Sequence, residues 1–201
     1  GGESTRVLCE RVRRLSPDRY KIRHLECPKK GRSHAANRAL DEATGQYVVI
    51  LDDDDLLLPD HIETLVTEII RTGSDAAYTL AWDTPVKYFD RSRGYYSEHA
   101  HITLPMFYQK FDRSVLFHHN FLPIQSVLFK RSLAGNSIRF DEDLDHLEDW
   151  VFWKRLSKGA RFQFVAKTTS IYKTPLSASE NFKRKKLLDN AYSIASERPE
   201  N

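Results

Sequence analysis

Apolar positions recur at helical and strand spacing in alternation along the first half of the chain. Residues 4–15 carry Val7, Leu8, Val12 and Leu15 near one helical face, with Ser16-Pro17-Asp18 as the stop. Residues 20–25 alternate as a short strand. Over residues 32–44 the small apolar residues Ala35, Ala36, Ala39, Leu40 and Ala43 share a stripe, with Gly45 at the C-terminal cap, so this helix can lie close to a sheet. Residues 46–51 form a nearly continuous apolar run, the pattern of a strand buried on both faces, and the run stops abruptly at Asp52-Asp53-Asp54-Asp55. Pro59 suits the first turn of a helix with Ile62, Leu65, Val66, Ile69 and Ile70 on its face and Gly73 at its end, and residues 75–82 read as the next strand.

Past Trp82 the pattern loosens, and residues 107–117 are the only helical stretch before residue 120. Order returns with a strand at 124–130, a helix at 148–158 and two short strands at 161–166 and 169–172. A last helix holds Leu187, Leu188, Ala191, Tyr192, Ile194 and Ala195 beside the basic run Lys183-Arg184-Lys185-Lys186. The alternation predicts an α/β fold, a mostly parallel sheet flanked by helices. With no repeat or linker, residues 1–201 read as one domain.

Composition narrows the function classes. A chain of 201 residues with 40% hydrophobic and 29% charged residues can bury a core beneath a wettable surface. No stretch approaches the roughly 18 consecutive apolar residues of a spanning helix, and residues 1–5 lack the charged start of a targeting segment. Lys plus Arg at 31 against Asp plus Glu at 28 leaves +3, too little for a nucleic-acid face, while a small anionic ligand stays open. Cys9 and Cys27 are too few for a disulfide framework and read as thiols.

The chemistry concentrates in acidic residues. Four adjacent carboxylates repel unless a cation, hydrogen bonds or protonation relieves them, and a hard divalent ion takes such oxygen ligands while keeping positions for a diphosphate. The alternative is a solvated acidic loop that caps the following helix. Glu148-Asp149 opens the helix at 148–158, where carboxylates also serve as ordinary caps. Neither His99-Ala100-His101 nor His118-His119 has the spacing of a zinc site. Trp82, Tyr88, Phe89, Tyr95 and Tyr96 suit sugar stacking or core equally, and the run 183–186 suits a solvated face or an anionic membrane surface.

Gly31-Arg32-Ser33-His34-Ala35-Ala36-Asn37-Arg38-Ala39-Leu40, followed by Ala43-Thr44-Gly45-Gln46-Tyr47-Val48-Val49-Ile50-Leu51-Asp52-Asp53-Asp54-Asp55, resembles the segment leading into the aspartate-x-aspartate motif of family 2 glycosyltransferases. Phe140-Asp141-Glu142-Asp143-Leu144 and Leu147-Glu148-Asp149-Trp150 are similar to that family's Phe-Asp-Glu and Glu-Asp-Trp signatures, and the resemblance covers roughly residues 1–175. It implies a GT-A (Rossmann-like) fold. Residues 1–80 would belong to the nucleotide-sugar half, 81–175 to the acceptor and catalytic half, and 176–201 to a C-terminal helix. It also implies that Asp52, Asp53, Arg32 and Asn37 meet the nucleotide sugar, that Asp54 and Asp55 hold Mn²⁺ or Mg²⁺, and that Asp149 is the general base with Glu148 beside the acceptor.

The implied function is a metal-dependent, non-processive, inverting transfer of a sugar from a nucleotide diphosphate donor to a hydroxyl acceptor, glycan or lipid-linked. The implied location is the cytoplasm, with the C-terminal basic helix able to touch its membrane face. No Gln-x-x-Arg-Trp follows Glu148-Asp149; Trp153-Lys154-Arg155-Leu156 stands there instead. Gly1-Gly2-Glu3-Ser4-Thr5 resembles the turn closing the family's second strand, so the chain is expected to start about forty residues into the domain, lacking a strand-helix-strand unit. A non-catalytic binding module of the same fold and a metal-dependent phosphoesterase are the competing expectations.

Overall fold

The computed structural model describes residues 3–15, 20–27, 31–90, 94–134 and 138–199. Gly1-Gly2 and the helix stop Ser16-Pro17-Asp18 lie outside them. In chain order the elements are α1 (Glu3–Leu15), α2 (Arg32–Glu42), β1 (Tyr47–Val49), β2 (Leu56–Leu57), α3 (His61–Thr72), β3 (Ala76–Asp90), β4 (Tyr95–Glu98), β5 (Ile102–Thr103), α4 (Arg113–His118), β6 (Val127–Lys130), α5 (Glu148–Leu156), β7 (Phe162–Pro175) and α6 (Ala178–Glu197).

The strands form one sheet in the order β1-β6-β3-β7-β2, with β4 and β5 on the far half of β3. The α/β layering is as expected, but the sheet is mixed and not mostly parallel. The long β3–β7 pair is parallel, and every other pair is antiparallel. Parallel neighbours need a long crossover, and α5 lies on the path between β3 and β7; β6 enters from a short 3₁₀ turn at Ile124–Ser126 and is free to run the other way.

Strand alternation divides the core between the two faces. Ala76, Tyr78, Val127 and Phe129 pack with Trp150, Val151, Phe152, Trp153 and Leu156 of α5 on one face. Ala77 and Leu128 turn to Leu65 and Ile69 of α3 on the other. Phe140 stacks on Phe152 with ring centroids 4.2 Å apart and planes 3° from parallel.

Several expectations needed correction by context. Residues 20–25 form no strand. β1 lies at the sheet edge, so its residues are only half-buried although Val48 and Val49 meet opposite clusters. α2 ends on Ala43, not Gly45, and its buried residues are Ser33 and Asn37, not the alanine stripe. Ile70 of α3 remains 70% exposed, as are the α1 residues Val7, Leu8 and Leu15 in large part. β3 continues through Pro85 to Asp90, because Pro85 still offers its carbonyl to the His99 N–H at 2.9 Å. The helix expected at 107–117 resolves into a 3₁₀ turn, Pro105–Phe107, and the short α4, whose first N–H groups are accepted by the Asp112 side chain. The two short strands after α5 are the single β7, with a register shift opposite Leu80 where a break was expected. Of α6 only Ala195 is fully buried. Among the described residues no helix is long and apolar enough to cross a membrane.

Residues 138–147 tie α2 to α5. The Asn37 amide donates to the Phe140 carbonyl at 3.0 Å and to Glu142 at 3.1 Å, and its oxygen accepts the Phe140 N–H at 3.0 Å. Ser33 donates to the Leu144 carbonyl, Arg155 holds Asp141, and Arg139 reaches Asp41. Asn37→Ala leaves a buried peptide group of Phe140 without partners and is expected to cost about 2–4 kcal/mol. Urea denaturation measures this directly; a loss under about 1 kcal/mol would mean that water replaces the amide.

Candidate active site

The acidic residues after β1 form a turn closed by the Asp55 N–H donating to the Asp52 carbonyl at 3.2 Å. Pairing of Leu56 with Ile171 sets the turn against β7. There the Lys173 N–H donates to the Asp55 carboxylate at 3.3 Å, and its ammonium donates to the Asp54 carbonyl while lying 4.7 Å from the Tyr96 ring centre. Asp53 and Asp54 are exposed, and Asp52 and Asp55 half-buried. Burial, then the charges of Asp54 and Asp52, push the Asp55 carboxyl up to about 7. Adjacent carboxylates on one turn are oxygen ligands of the kind a hard divalent cation takes, and Asp54 and Asp55 are such a pair. Among the described residues no three His, Cys, Asp or Glu side chains are grouped so as to hold a metal ion by themselves.

The second acidic pair arrives from the opposite layer. Leu147 takes a left-handed conformation, φ 60° and ψ 19°, the one non-glycine residue with positive φ among those described. A branched side chain disfavours that conformation, which the packing of Leu147 against the core offsets. The turn starts α5 at Glu148 and Asp149. Glu148 is only 3% exposed, and burial followed by the neighbouring Asp149 charge raises its carboxyl to about 7 against the opposing pull of Arg32. Burial also raises Asp149, against the Trp150 N–H at 2.8 Å and the Asn120 amide at 3.0 Å, both of which donate to it.

Arg32 joins the two pairs. Its Nε lies 2.7 Å from Glu148 and its terminal nitrogen donates to Asp52. A cation at the first position of α2 is unfavourable to that helix's own dipole, and no acidic residue in the first turn compensates. The compensation is tertiary: burial works against the charged guanidinium, but Glu148, Asp52 and Asp149 outweigh it and raise its pKa. Gly31 makes the placement possible, with φ 91° at the start of α2.

Of the residues picked from sequence, Asp52, Arg32, Glu148 and Asp149 converge on one centre. Asp54 and Asp55 lie on the same turn as Asp52, and Asp53 points to solvent. Asn37 does not join them: its amide is engaged by Phe140 and Glu142 in a clasp between α2 and the Phe-Asp-Glu segment. The Phe-Asp-Glu signature is likewise structural, with Asp141 held by Arg155 and Glu142 by His34 at 2.9 Å. Sequence reasoning missed Asn120 and Lys173, whose partners lie 29 and 118 residues away and leave no local periodic signal.

This combination of mixed sheet, acidic turn and facing carboxylate pair defines a GT-A type protein, and solved structures agree. The fold matches Staphylococcus aureus TarS 1-349 in complex with UDP at TM-score 0.60, with 17% identity over 92% of this chain and 52% of that one. The complex with UDP-GlcNAc matches at TM-score 0.59, covering 86% and 48%. The chain belongs to glycosyl transferase family 2, whose model matches residues 2–135. Arg32 and the acidic turn fall inside that match; Glu148 and Asp149 fall beyond it, so their place in the site rests on geometry. An uncharacterized glycosyltransferase of Bacillus subtilis, YwdF, is 27% identical over 79% of this chain and 58% of its own length. The succinoglycan biosynthesis protein ExoO of Rhizobium meliloti is 29% identical over 70% and 38%. The chain spans about half the length of the relatives it matches.

The raised Glu148 carboxyl binds its proton more tightly in the folded protein than in the unfolded chain. Its contribution to stability is therefore present below its ordinary value of 4.5 and is lost as the pH climbs to about 7. Glu148→Gln is expected to reduce the fall in Tm between pH 5 and pH 7, leaving the slope due to the other raised carboxyls, Asp149 and Asp55. Differential scanning calorimetry across that range would show an unchanged slope if Arg32 kept Glu148 fully ionised throughout.

Proposed function

We propose that the chain is the catalytic core of a metal-dependent, non-processive, inverting glycosyltransferase that moves a sugar from a nucleoside diphosphate donor to a hydroxyl acceptor. The observation that carries this reading is the single centre formed by Asp52, Arg32, Glu148 and Asp149, which joins a metal-suited acidic turn to a candidate base. The UDP and UDP-GlcNAc bound in the TarS structures make uridine nucleotides the first donors to try.

In this reading Asp52 meets the nucleoside, and Asp54 and Asp55 would hold a divalent ion, which would supply positive charge to offset that developing on the departing diphosphate. Glu148 is committed to Arg32, which leaves Asp149 as the carboxylate able to accept a proton. The acceptor oxygen bonds to the anomeric carbon as its proton passes to Asp149. The carbon–oxygen bond to the diphosphate breaks on the opposite side, its electron pair leaving with the phosphate oxygen. Direct displacement by the acceptor, with Asp149 as the base, gives inversion at the anomeric carbon. Non-processive transfer is supported by the absence of Gln-x-x-Arg-Trp: Trp153 is core, and Lys154, 1% exposed, donates to the Ala195 carbonyl of α6 at 2.7 Å, so neither is available to a growing chain.

Two substitutions separate metal from base. Asp54→Asn is expected to abolish Mn²⁺-dependent binding of UDP in titration calorimetry while leaving the melting temperature unchanged or higher, because a repulsive charge is removed from an exposed turn. Metal-dependent affinity that survives the change would remove Asp54 from the metal site. Asp149→Asn is expected to keep UDP and Mn²⁺ affinity near normal while sugar transfer from UDP-GlcNAc falls roughly 10²-fold or more. If the carboxylate were only a helix cap, Asn would serve about as well and the rate would hold.

A further inference from the structure

We infer that Asn120 is the positioning residue of this centre, orienting Asp149 and favouring its ionised form through a hydrogen bond whose direction is fixed by the surrounding backbone. The inference rests on the reading of Asp149 as the base. Asn120 Oδ1 accepts the Leu122 N–H at 3.1 Å, and Nδ2 donates to Asp149 Oδ2 at 3.0 Å. Turning the amide over would set NH₂ against N–H and carbonyl against carboxylate, both repulsive. Asn120 therefore acts toward Asp149 as a donor only, and an amide nitrogen cannot take the acceptor's proton in its place. The other carboxylate oxygen accepts the Trp150 N–H at 2.8 Å, so both oxygens are anchored and the orientation of the group is set.

The segment bearing Asn120 is stapled to α5 on either side. Trp150 Nε1 donates to the Leu116 carbonyl at 2.6 Å, and Trp153 Nε1 donates to the Leu122 carbonyl at 3.1 Å. Leu116, Phe121 and Leu122 are buried in the same core as both indoles. The side chains at 149, 150 and 153 thus meet partners between 116 and 122, and Asn120 is held between two fixed points. Charged groups facing Asp149 are Glu148 on α5, Arg32 on α2 and Asp52 on the acidic turn. Arg32 is shared with Glu148 and Asp52, so among the described residues the donors to Asp149 alone are the Trp150 N–H, which belongs to the helix, and Asn120. Burial raises Asp149, and Asn120 opposes the rise.

The test titrates the Asp149 side-chain carboxyl by ¹³C NMR in aspartate-labelled protein, the resonance being identified by its loss in Asp149→Asn. In Asn120→Ala the midpoint is expected to rise by about one pH unit or more, the scale of a hydrogen bond to a charged group. Asn120→Asp is nearly isosteric and retains an acceptor for the Leu122 N–H, which protects the fold if alanine does not. In it the two carboxyls share a proton, and the upper midpoint rises further. A midpoint that stays in place in a folded variant overturns the inference, since a merely structural asparagine would lower Tm and leave the titration alone. Release of UDP from UDP-GlcNAc, with water as acceptor, supplies the kinetic arm: the acid limb of kcat moves with the titration while KM holds. Normal turnover in Asp149→Asn would overturn the base reading and the inference with it; lost turnover in Asp149→Asn with an unmoved midpoint in the Asn120 variants overturns the inference alone.

Discussion

The centre depends on one guanidinium. Asp52, Glu148 and Asp149 come from an edge-strand turn and from a helix in the opposite layer, and their mutual repulsion would hold those elements apart were Arg32 not between them. A planar guanidinium meets two carboxylates at once, which an ammonium does less well, and stays charged in partial burial. Glu148 is the sharper half of the arrangement. A carboxylate so deeply buried and robbed of its cation would have to take up a proton or force the site open.

Around this centre the chain places other charges where they stiffen the scaffold. Asp141 is paired with Arg155, Asp143 with Arg198, Asp41 with Arg139, and Asp75 with Lys130 at 2.9 Å. These pairs sit at the ends of α2, α5, α6 and β3. The buried ammonium of Lys154 faces the carbonyls at the C-terminal end of α6 and lies 4.8 Å from the Trp150 ring centre. A cation is favoured at that end of a helix dipole, and the aromatic face helps replace its hydration. The result is that α5, which bears Glu148 and Asp149, is packed on β6, while Lys173 tethers the acidic turn.

Exposure divides the acidic residues by task. Asp53 and Asp54 lie open at the turn, their carboxylates hydrated. Glu148 and the anchored Asp149 sit where desolvation raises the proton affinity of both carboxyls. Two signatures nearly a hundred residues apart in the chain thus act as one electrostatic unit, which explains why neither is interpretable alone.

Much of this was legible beforehand. The acidic run ending an apolar strand, the glycine and arginine that open α2, and the Glu-Asp pair at the start of α5 are local patterns, set by residue type and helix or strand period, and the structure kept each in its element. The family resemblance pointed to the same residues. Tertiary packing decided the remainder. Whether a strand is central or at an edge depends on its neighbours, so β1 reads as fully buried yet is half-exposed, and the β3–β6 direction could not be inferred from alternation alone. Whether an asparagine meets a ligand or clasps a backbone depends on which distant carbonyl faces it: this turned Asn37 into a clasp and Asn120 into the partner of Asp149. Side-chain chemistry and local period are written residue by residue, whereas burial, ion pairing and hydrogen-bond direction are properties of contacts between segments far apart in the chain, and these exist only once it has folded.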